Sequence, residues 1–373
     1  MDSYDVLIVG GGPAGSTCAW ELRRSGLKIA ILDKAIFPRD KICGGWITRA
    51  VLSDLEIDAA DYAHRRVLQP ITGFRVGTMG ASPIETSYGE PVSYGILRRE
   101  FDDYLLRRSG AELLLGTALT SLDRTPKGWV ANDAIRADFL VGAGGHFCPV
   151  ARFFGARGGS KSPVVAQEVE FEMDSHQRAD CRVRGETPEL YFCADLKGYG
   201  WCFRKGDVLN VGLGRADPHH LPAHVTGFLE FLKAAGRISF DLPPLRGHAY
   251  FLNGTSNRPI AGDGYLLVGD SAGLASLQSG EGILPAVESG LLAARNILGR
   301  NNLDGRQRFD SYQILLACPR QSGLMRIGRS LPSPMVGFLG RRLLKTRWFV
   351  RDVVLDDWFL HQHHSAVETV RAR

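Results

Sequence analysis

The feature that most constrains this chain is the way its first strand ends. Tyr4-Asp5-Val6-Leu7-Ile8-Val9 is a short β-branched and apolar run and predicts a buried parallel strand. It runs straight into Gly10-Gly11-Gly12-Pro13-Ala14-Gly15. Ser16 to Ser25 then predicts a helix that stops at Gly26, and Lys28 to Leu32 predicts a second strand with Asp33 at its end. Strand, glycine turn, helix, strand and acid in this register form a dinucleotide fingerprint. Gly10 makes the tight turn, Gly12 permits backbone approach to a pyrophosphate, and Gly15 permits close helix–strand packing. The helix N-terminus offers free N–H groups and a positive dipole end to phosphates, with Pro13 and Ala14 inside that turn. Asp33 is placed to accept hydrogen bonds from a ribose 2′-hydroxyl. A glycine-rich loop that binds nothing is the alternative.

The 373 residues suffice for two domains or one large α/β unit with insertions. A net charge of +5 is mild for that length, and no basic stripe with interleaved aromatics occurs, so nucleic acid is not an expected partner. The seven cysteines are scattered, with no C-x-x-C pair. Neither a zinc site nor a disulfide framework is expected, and a reducing cytoplasmic setting is the simplest. No metal is expected. A strand that starts within four residues of the N-terminus leaves no room for a signal peptide, and no apolar run reaches membrane-spanning length.

The pattern along the chain predicts a discontinuous α/β fold. Residues 34–50 read as a connection rich in charge, Pro and Gly, followed by a helix near Thr48 to Leu55. Residues 71–96 alternate as short strands, and Arg98 to Ser109 is an amphipathic helix. Phe139 to Gly145 reads as a buried strand entering a glycine turn. From Pro163 to about Tyr250 alternating strands dominate, with one helix at Leu221 to Ala235, which predicts an inserted antiparallel sheet. The α/β texture returns at Tyr265 to Asp270, and Leu284 to Leu298 reads as a long helix. The fold class is therefore α/β with an α+β insert. A Rossmann-like domain is expected over 1–70, 97–162 and 255–305, a substrate-binding β-sheet domain over 71–96 and 163–254, and a C-terminal helical cap over 306–373.

Between Ser311 and Arg351 there is no acidic residue but eight Arg or Lys, interspersed with apolar side chains. A basic amphipathic segment of this kind can lie on the anionic inner face of a membrane. The reading preferred here is a helical cap with its apolar face packed on the core and its basic face in water.

Three separated segments narrow the dinucleotide to FAD. They are the opening loop with Asp33, Arg98-Arg99-Glu100-Phe101-Asp102 at a helix start, and Gly269-Asp270 followed by Gly280-Glu281-Gly282. A strand ending in Gly-Asp puts a carboxylate at the carboxyl edge of the sheet, where ligands bind. The helix starting near Gly282 and Ile283 can aim its N-terminus at a flavin ring, which gains negative charge on accepting a hydride.

Several stretches carry a more specific likeness. They are Phe37-Pro38-Arg39-Asp40-Lys41-Ile42-Cys43-Gly44-Gly45, the Arg98 to Asp102 segment, Tyr199-Gly200-Trp201-Cys202-Phe203, and Gly269-Asp270 through Gly282. On these the chain resembles the two-domain flavoproteins that include aromatic hydroxylases, flavin halogenases and geranylgeranyl reductases. The geranylgeranyl reductase branch is the most similar, over roughly residues 1–300. The resemblance implies FAD across the first lobe. Asp33 would hold the adenosine ribose, Arg98 would lie near the phosphates, and Asp270 would hold the ribityl or pyrophosphate region. It also implies cofactor contacts from Lys34, Lys41, Ala118, Gly280 and Ile283, with Cys43-Gly44-Gly45 passing close to the flavin ring. Tyr199, Trp201 and Phe203 alternate on one strand and share a face. That face would line an apolar cavity for an isoprenoid-like chain.

Bland readings stand beside these. The three aromatics can be ordinary core of a half-buried strand, and Cys43 an inert thiol rather than a proton donor to a substrate carbon. His361, His363 and His364 read as a solvated tail rather than a metal site. Where the hydroxylase-like pattern ends in Gly-Ala-Asp-Gly, this chain has Gly142-Ala143-Gly144-Gly145, and Arg204 stands where Pro commonly follows the aromatic motif. The expected activity is FAD-dependent reduction of carbon–carbon double bonds in an apolar substrate. Alternatives are a flavin monooxygenase or halogenase, and a FAD-binding protein without redox turnover. With no second complete fingerprint, NAD(P)H would bind transiently as electron donor, and a reductase or ferredoxin partner is an equal candidate.

Overall fold

The computed structural model describes residues 1–155, 163–217, 219–256, 258–299, 312 and 333–362. Contacts divide the chain into two compact units, residues 1–40, 98–162 and 250–319, and residues 41–97, 163–249 and 320–373.

The first unit is built on an eight-stranded sheet. Its parallel centre runs Tyr265–Leu267, Ile135–Gly142, Asp2–Val9, Ile29–Asp33 and Glu112–Leu115. Ala261–Gly262 adds an antiparallel edge, and Gly128–Ala131 and Leu122–Thr125 form a ribbon on Ile135–Gly142. The uninterrupted run Val6 to Val9 fits a strand covered on both faces. Val6 and Ile8 enter one apolar cluster with the helix residues Ala14, Cys18, Ala293 and Ala294. Leu7 and Val9 enter the opposite one with Leu140, Val150 and Tyr265. The helices Pro13–Leu22 and Ile283–Leu298 pack together on the first face through small residues, so a Cβ on Gly290 would crowd the Ala14 carbonyl at 2.5 Å.

The helix after the turn begins at Pro13, three residues earlier than the sequence pattern indicates, and ends at Leu22. Proline carries the helical φ and needs no partner for the missing N–H, so it opens the helix rather than preceding it. The second strand is Ile29–Asp33, one residue later than read, which draws Asp33 into the parallel ladder opposite Leu115.

The second unit contains a seven-stranded sheet in the order Arg246–Tyr250, Val164–Glu172, Val208–Arg215, Gly198–Lys205, Glu189–Phe192, Gly73–Thr78 and Ile84–Ser87. Val164–Glu172, Val208–Arg215, Gly198–Lys205 and Glu189–Phe192 pair antiparallel in turn, as do Gly73–Thr78 and Ile84–Ser87, whereas Glu189–Phe192 runs parallel to Gly73–Thr78. The helix Leu221–Ala234 packs its Val225, Phe228 and Leu232 on one face with Val211 and Leu213. The other face carries Phe74, Leu190, Trp201 and Phe203, joined by the π-helical segment Phe349–Phe359. Residues 41–70, grouped with the nucleotide lobe from sequence, cluster with this unit. Their strands Trp46–Thr48 and Leu68–Ile71 flank Ser93–Ile96 in a three-stranded antiparallel sheet.

The basic C-terminal segment is described from residue 333 onward; Ser311 and residues 313–332 lie outside the described residues, as do His363 and His364. Leu344, Phe349, Val350, Val353 and Phe359 are buried in the sheet-face cluster, whereas Phe338, Leu339 and Trp348 remain exposed. Among the described residues no helix is long and apolar enough to cross a membrane.

Candidate functional site

In the first unit the glycine turn is shaped by its neighbours. Gly10 has φ +117°, and a Cβ there would run into the Ala143 carbonyl, so only glycine fits. A Cβ on Gly15 would strike the Gly10 carbonyl, which keeps the helix tight against the strand end. Gly12 differs: a Cβ there would meet only Arg39 Nη2, at 3.5 Å. Gly12 is the N-cap of Pro13–Leu22 and has no side chain to satisfy the first-turn N–H groups, among them that of Ala14. The turn thus presents backbone donors, an open glycine surface and a guanidinium together.

Asp33 is fixed at this turn by two backbone donors. Gly11 N–H donates to Asp33 Oδ2 at 2.7 Å, and Ala35 N–H to Oδ1 at 2.8 Å. Each oxygen keeps a further lone pair for a hydroxyl. Lys34 beside it is exposed, and so is Ala118, whose carbonyl accepts from Asn132 Nδ2 at 2.8 Å.

Arg98 does not stand alone. It makes a two-pronged pair with buried Asp102, Nε to Oδ1 at 2.8 Å and Nη2 to Oδ2 at 2.9 Å. Arg39 Nη2 approaches the same carboxylate at 3.2 Å. Two guanidinium groups on one carboxylate give that cluster an excess of positive charge beside the glycine turn. Arg39 is a residue that sequence reasoning missed. Its signal is its place in the Pro38-Arg39-Asp40-Lys41 stretch, but spacing alone does not bring it to Gly12.

At the far edge of the sheet Gly269-Asp270-Ser271 forms a single 3-10 turn. Asp270 Oδ1 lies 3.3 Å from where a Cβ of Gly282 would stand, so the carboxylate hangs over the N-terminus of the helix opened by Gly282 and Ile283. Gly280 (φ +70°) shapes the approach to that helix. Arg258, also missed from sequence, ties this turn to the segment after Gly142. Its Nη1 donates to the carbonyls of Asp270 and Ser271, both at 2.9 Å, and its Nη2 to the His146 carbonyl at 2.7 Å. Burial pushes the Arg258 pKa down, against weaker opposing effects of Cys148 and Asp270. Ser271 adds a second tie, accepting the Gly145 N–H at 3.0 Å. A Cβ at Gly144 would press on Cys148 Cα and Pro149 Cδ at 3.2 Å. The glycine that replaces the hydroxylase-like Asp is thus accounted for by the turn into the Pro149–Phe153 helix.

The remaining residues lie in the second unit. Half-buried Cys43 accepts the Gly45 N–H at 3.5 Å, and half-buried Lys41 precedes it. Gly44 lies on the aromatic strand, where a Cβ would sit 3.3 Å from Phe203 Cε2 and 3.5 Å from Trp201 Nε1. Gly45 (φ +65°) is held so close to the Ile96 carbonyl and Lys205 Nζ that a Cβ would strike both. Trp201 and Phe203 are buried and Tyr199 is half-buried, on one face with Trp46 and Phe359. The Tyr199 and Phe359 rings meet edge-on at 5.5 Å, and Trp46 stacks on Phe359 at 5.3 Å.

Beneath this loop lies a polar network absent from the sequence reading. Trp201 Nε1 donates to Asn210 Oδ1 at 2.7 Å, while Asn210 Nδ2 donates to the Cys43 carbonyl and to Glu170 Oε2, both at 3.2 Å. Buried Lys205 pairs with Glu170 Oε2 and donates to the Ile96 carbonyl at 2.9 Å. Glu168, 4% exposed, has its pKa pushed up to about 7. Burial is the main cause; Lys205 opposes it, Glu170 adds to it, and the Cys43 backbone N–H and Lys41 oppose it further.

Residues 8–69 match the family model of an NAD(P)-binding Rossmann-like domain. The chain is 29% identical over 316 residues to a geranylgeranyl diphosphate reductase of Rhodobacter capsulatus, covering 78% of this chain and 74% of the relative. It is 29% identical to digeranylgeranylglycerophospholipid reductase 3 of Methanosphaera stadtmanae (79% and 77% covered) and 28% identical to a menaquinone reductase of Mycobacterium tuberculosis (80% and 78%). Among solved structures, a geranylgeranyl bacteriochlorophyll reductase-like protein of Thermoplasma acidophilum matches with TM-score 0.70 at 22% identity, covering 92% and 88% of the two chains. A flavin-dependent brominase matches in fold with TM-score 0.67 at 19% identity, covering 96% and 92%.

Fold and sequence define a mixed α/β protein with a Rossmann-like dinucleotide-binding domain. In sequence it is similar to reductases of geranylgeranyl and digeranylgeranyl compounds.

Proposed function

We propose that the protein binds FAD and reduces carbon–carbon double bonds of an apolar, isoprenoid-like substrate. The observation that carries the cofactor assignment is the Gly11–Asp33 hydrogen bond beside a Gly12 surface faced only by Arg39, a cradle that fits a ribose next to a pyrophosphate. When bound and reduced, FAD supplies a hydride to one carbon of an alkene.

The protein's own groups do the rest. Asp33 orients the adenosine ribose, and Arg39 and Arg98 balance the phosphate charge while Asp102 holds both in place. Asp270 takes hydroxyls of the ribityl region. The N-terminus of the Ile283–Leu298 helix favours the negative charge that a reduced flavin carries. Tyr199, Trp201 and Phe203 give the substrate an apolar face, and Cys43 holds a proton for the second alkene carbon. The names of the relatives, reductases of geranylgeranyl and digeranylgeranyl compounds and of menaquinone, support an isoprenoid-like substrate.

The test is anaerobic. Photoreduced protein mixed with a polyprenyl alkene is expected to return to the oxidised flavin spectrum while the alkene gains two hydrogens by mass. Incorporation of oxygen into an added aromatic on admission of air, with the alkene unchanged, would instead establish the monooxygenase alternative. Parallel additions of NADPH, NADH and reduced ferredoxin identify the electron donor.

A further inference from the structure

Asn210 is a wholly buried polar side chain on the sheet face that carries Trp201 and Phe203. On the strand Val208–Arg215 it stands between Phe203 on one side and Glu170 on the other, and Gly212 stands in the same way between Trp201 and Glu168. Paired residues point to one face of a sheet, so these form two rows beneath the Cys43-Gly44-Gly45 loop. Gly212 leaves room for the indole: a Cβ there would strike Trp201 Cζ2 and Glu168 Cβ.

Each polar arm of the Asn210 amide has a partner of the matching kind. Its oxygen accepts from Trp201 Nε1 at 2.7 Å, and its nitrogen donates to the Cys43 carbonyl and to Glu170 Oε2, both at 3.2 Å. An indole N–H only donates, whereas a carbonyl and a carboxylate only accept, so the amide fits one way round. Glu170 is held in turn by buried Lys205, which also donates to the Ile96 carbonyl at 2.9 Å. The Ile96 N–H donates to the Gly45 carbonyl at 2.7 Å. The loop is thus tied at Cys43 through Asn210 and at Gly45 through Ile96. Between the ties the Cys43 sulfur accepts the Gly45 N–H at 3.5 Å, so what fixes the loop backbone also fixes the thiol.

We propose that Asn210 is the positioning residue that sets the Cys43 thiol against the aromatic face, holding the loop with its nitrogen and the Trp201 indole with its oxygen. This rests on the reductase reading above. Asn210 acts through Cys43 and Trp201 and exchanges no proton itself. A reacting group displaced by about 1 Å loses rate on the order of a hundredfold, so a tie of this kind bears on turnover. The amide is the side chain the position calls for. A carboxylate would turn acceptors toward the Cys43 carbonyl and Glu170. An alkyl group would leave the buried indole N–H and the Cys43 carbonyl without this partner.

The test compares Asn210→Asp and Asn210→Leu with wild type as full-length holoenzymes, with circular dichroism melts confirming the fold. One readout is steady-state reduction of a polyprenyl alkene with dithionite as reductant; the other is alkylation of Cys43 by iodoacetamide in the oxidised enzyme, followed by mass. Asn210→Asp keeps an acceptor for Trp201 but has no N–H for the Cys43 carbonyl. Its kcat is expected to fall about 10–100-fold with KM within about threefold of wild type. Its Cys43 is expected to be alkylated at least about fivefold faster, because the loop opens more often. Asn210→Leu also releases the indole, so its KM is expected to rise at least about threefold in addition. Wild-type kcat or wild-type alkylation in Asn210→Asp overturns the proposal; if that variant does not fold, the same results in Asn210→Leu overturn it. Equal KM in the two variants overturns the Trp201 half of it. A wild type that reduces no alkene overturns the reductase reading and this proposal with it. Normal reduction by wild type with unchanged variants overturns this proposal alone.

Discussion

Gly11 donates its backbone N–H to the Asp33 carboxylate at 2.7 Å, joining the phosphate turn and the acid that ends the neighbouring strand. The same carboxylate anchors Ala35 through its other oxygen. Asp33 therefore shapes the turn, and in the proposed function it also offers acceptors to a ribose. Asp33→Ala is expected to weaken FAD binding by about 1.5–3 kcal/mol, the range for hydrogen bonds to a charged group. Titration of apoprotein followed by flavin fluorescence checks this, with circular dichroism confirming the fold. Unchanged affinity would count against the assigned ribose site.

Glu168 makes stability depend on pH in a defined direction. Its pKa in the fold is raised to about 7 from an ordinary carboxyl value of 4.5. The folded state binds the extra proton between those values, so the group's contribution is full below about 4.5 and is lost as pH rises through about 7. Glu168→Gln should therefore be more stable than wild type at pH 8, by up to about 3 kcal/mol, and gain little at pH 4.5. Denaturant melts at the two pH values decide it; a variant equally destabilised at both would contradict the account.

Gly45 and Gly26 separate backbone strain from crowding. Both have positive φ, +65° and +79°. A Cβ at Gly26 meets nothing within 4 Å, whereas one at Gly45 strikes the Ile96 carbonyl and Lys205 Nζ. Gly26→Ala should cost about 1–2 kcal/mol. Gly45→Ala should cost about 1–3 kcal/mol more and displace the Cys43 loop. Urea melts of both variants, with iodoacetamide labelling of Cys43, test the contrast.

Tyr88 fastens the π-helical segment to the second unit. Its hydroxyl donates to Asp356 Oδ1 at 2.6 Å, and Arg351 lies over its ring. Burial, reinforced by Asp356, drives the phenol pKa far upward. A double-mutant cycle of Tyr88→Phe and Asp356→Asn is expected to give a coupling of about 1.5–3 kcal/mol. In the wild type, phenolate absorbance from Tyr88 should appear only when the protein unfolds in base.

The opening turn is legible in sequence because each part has a local cause: an apolar run for a doubly covered strand, glycines where Cβ atoms collide, and proline at a helix start. The alternation of Tyr199, Trp201 and Phe203 is legible in the same way. Glu168 is not. Glu168, Glu170 and Glu172 alternate with Val169 and Phe171, a pattern that reads as a solvated strand face. Only the chain fold brings residues 43–45 over that face and buries the first carboxyl. Arg39 and Arg258 are hidden for a related reason: their partners Asp102, His146 and Asp270 are brought to them by the fold, and no spacing in the sequence pairs them. The C-terminal segment reads as basic and amphipathic, yet which of its apolar residues find the sheet depends on a surface made by strands far upstream.

The most direct measurement of the central claim is anaerobic mixing of photoreduced holoenzyme with a polyprenyl alkene, read by flavin absorbance and product mass together. The account predicts reoxidation by the alkene alone, with one double bond saturated and two hydrogens gained per flavin oxidised. A protein that takes up no FAD, or a reduced flavin that the alkene leaves unchanged while oxygen is incorporated into product in air, would contradict it.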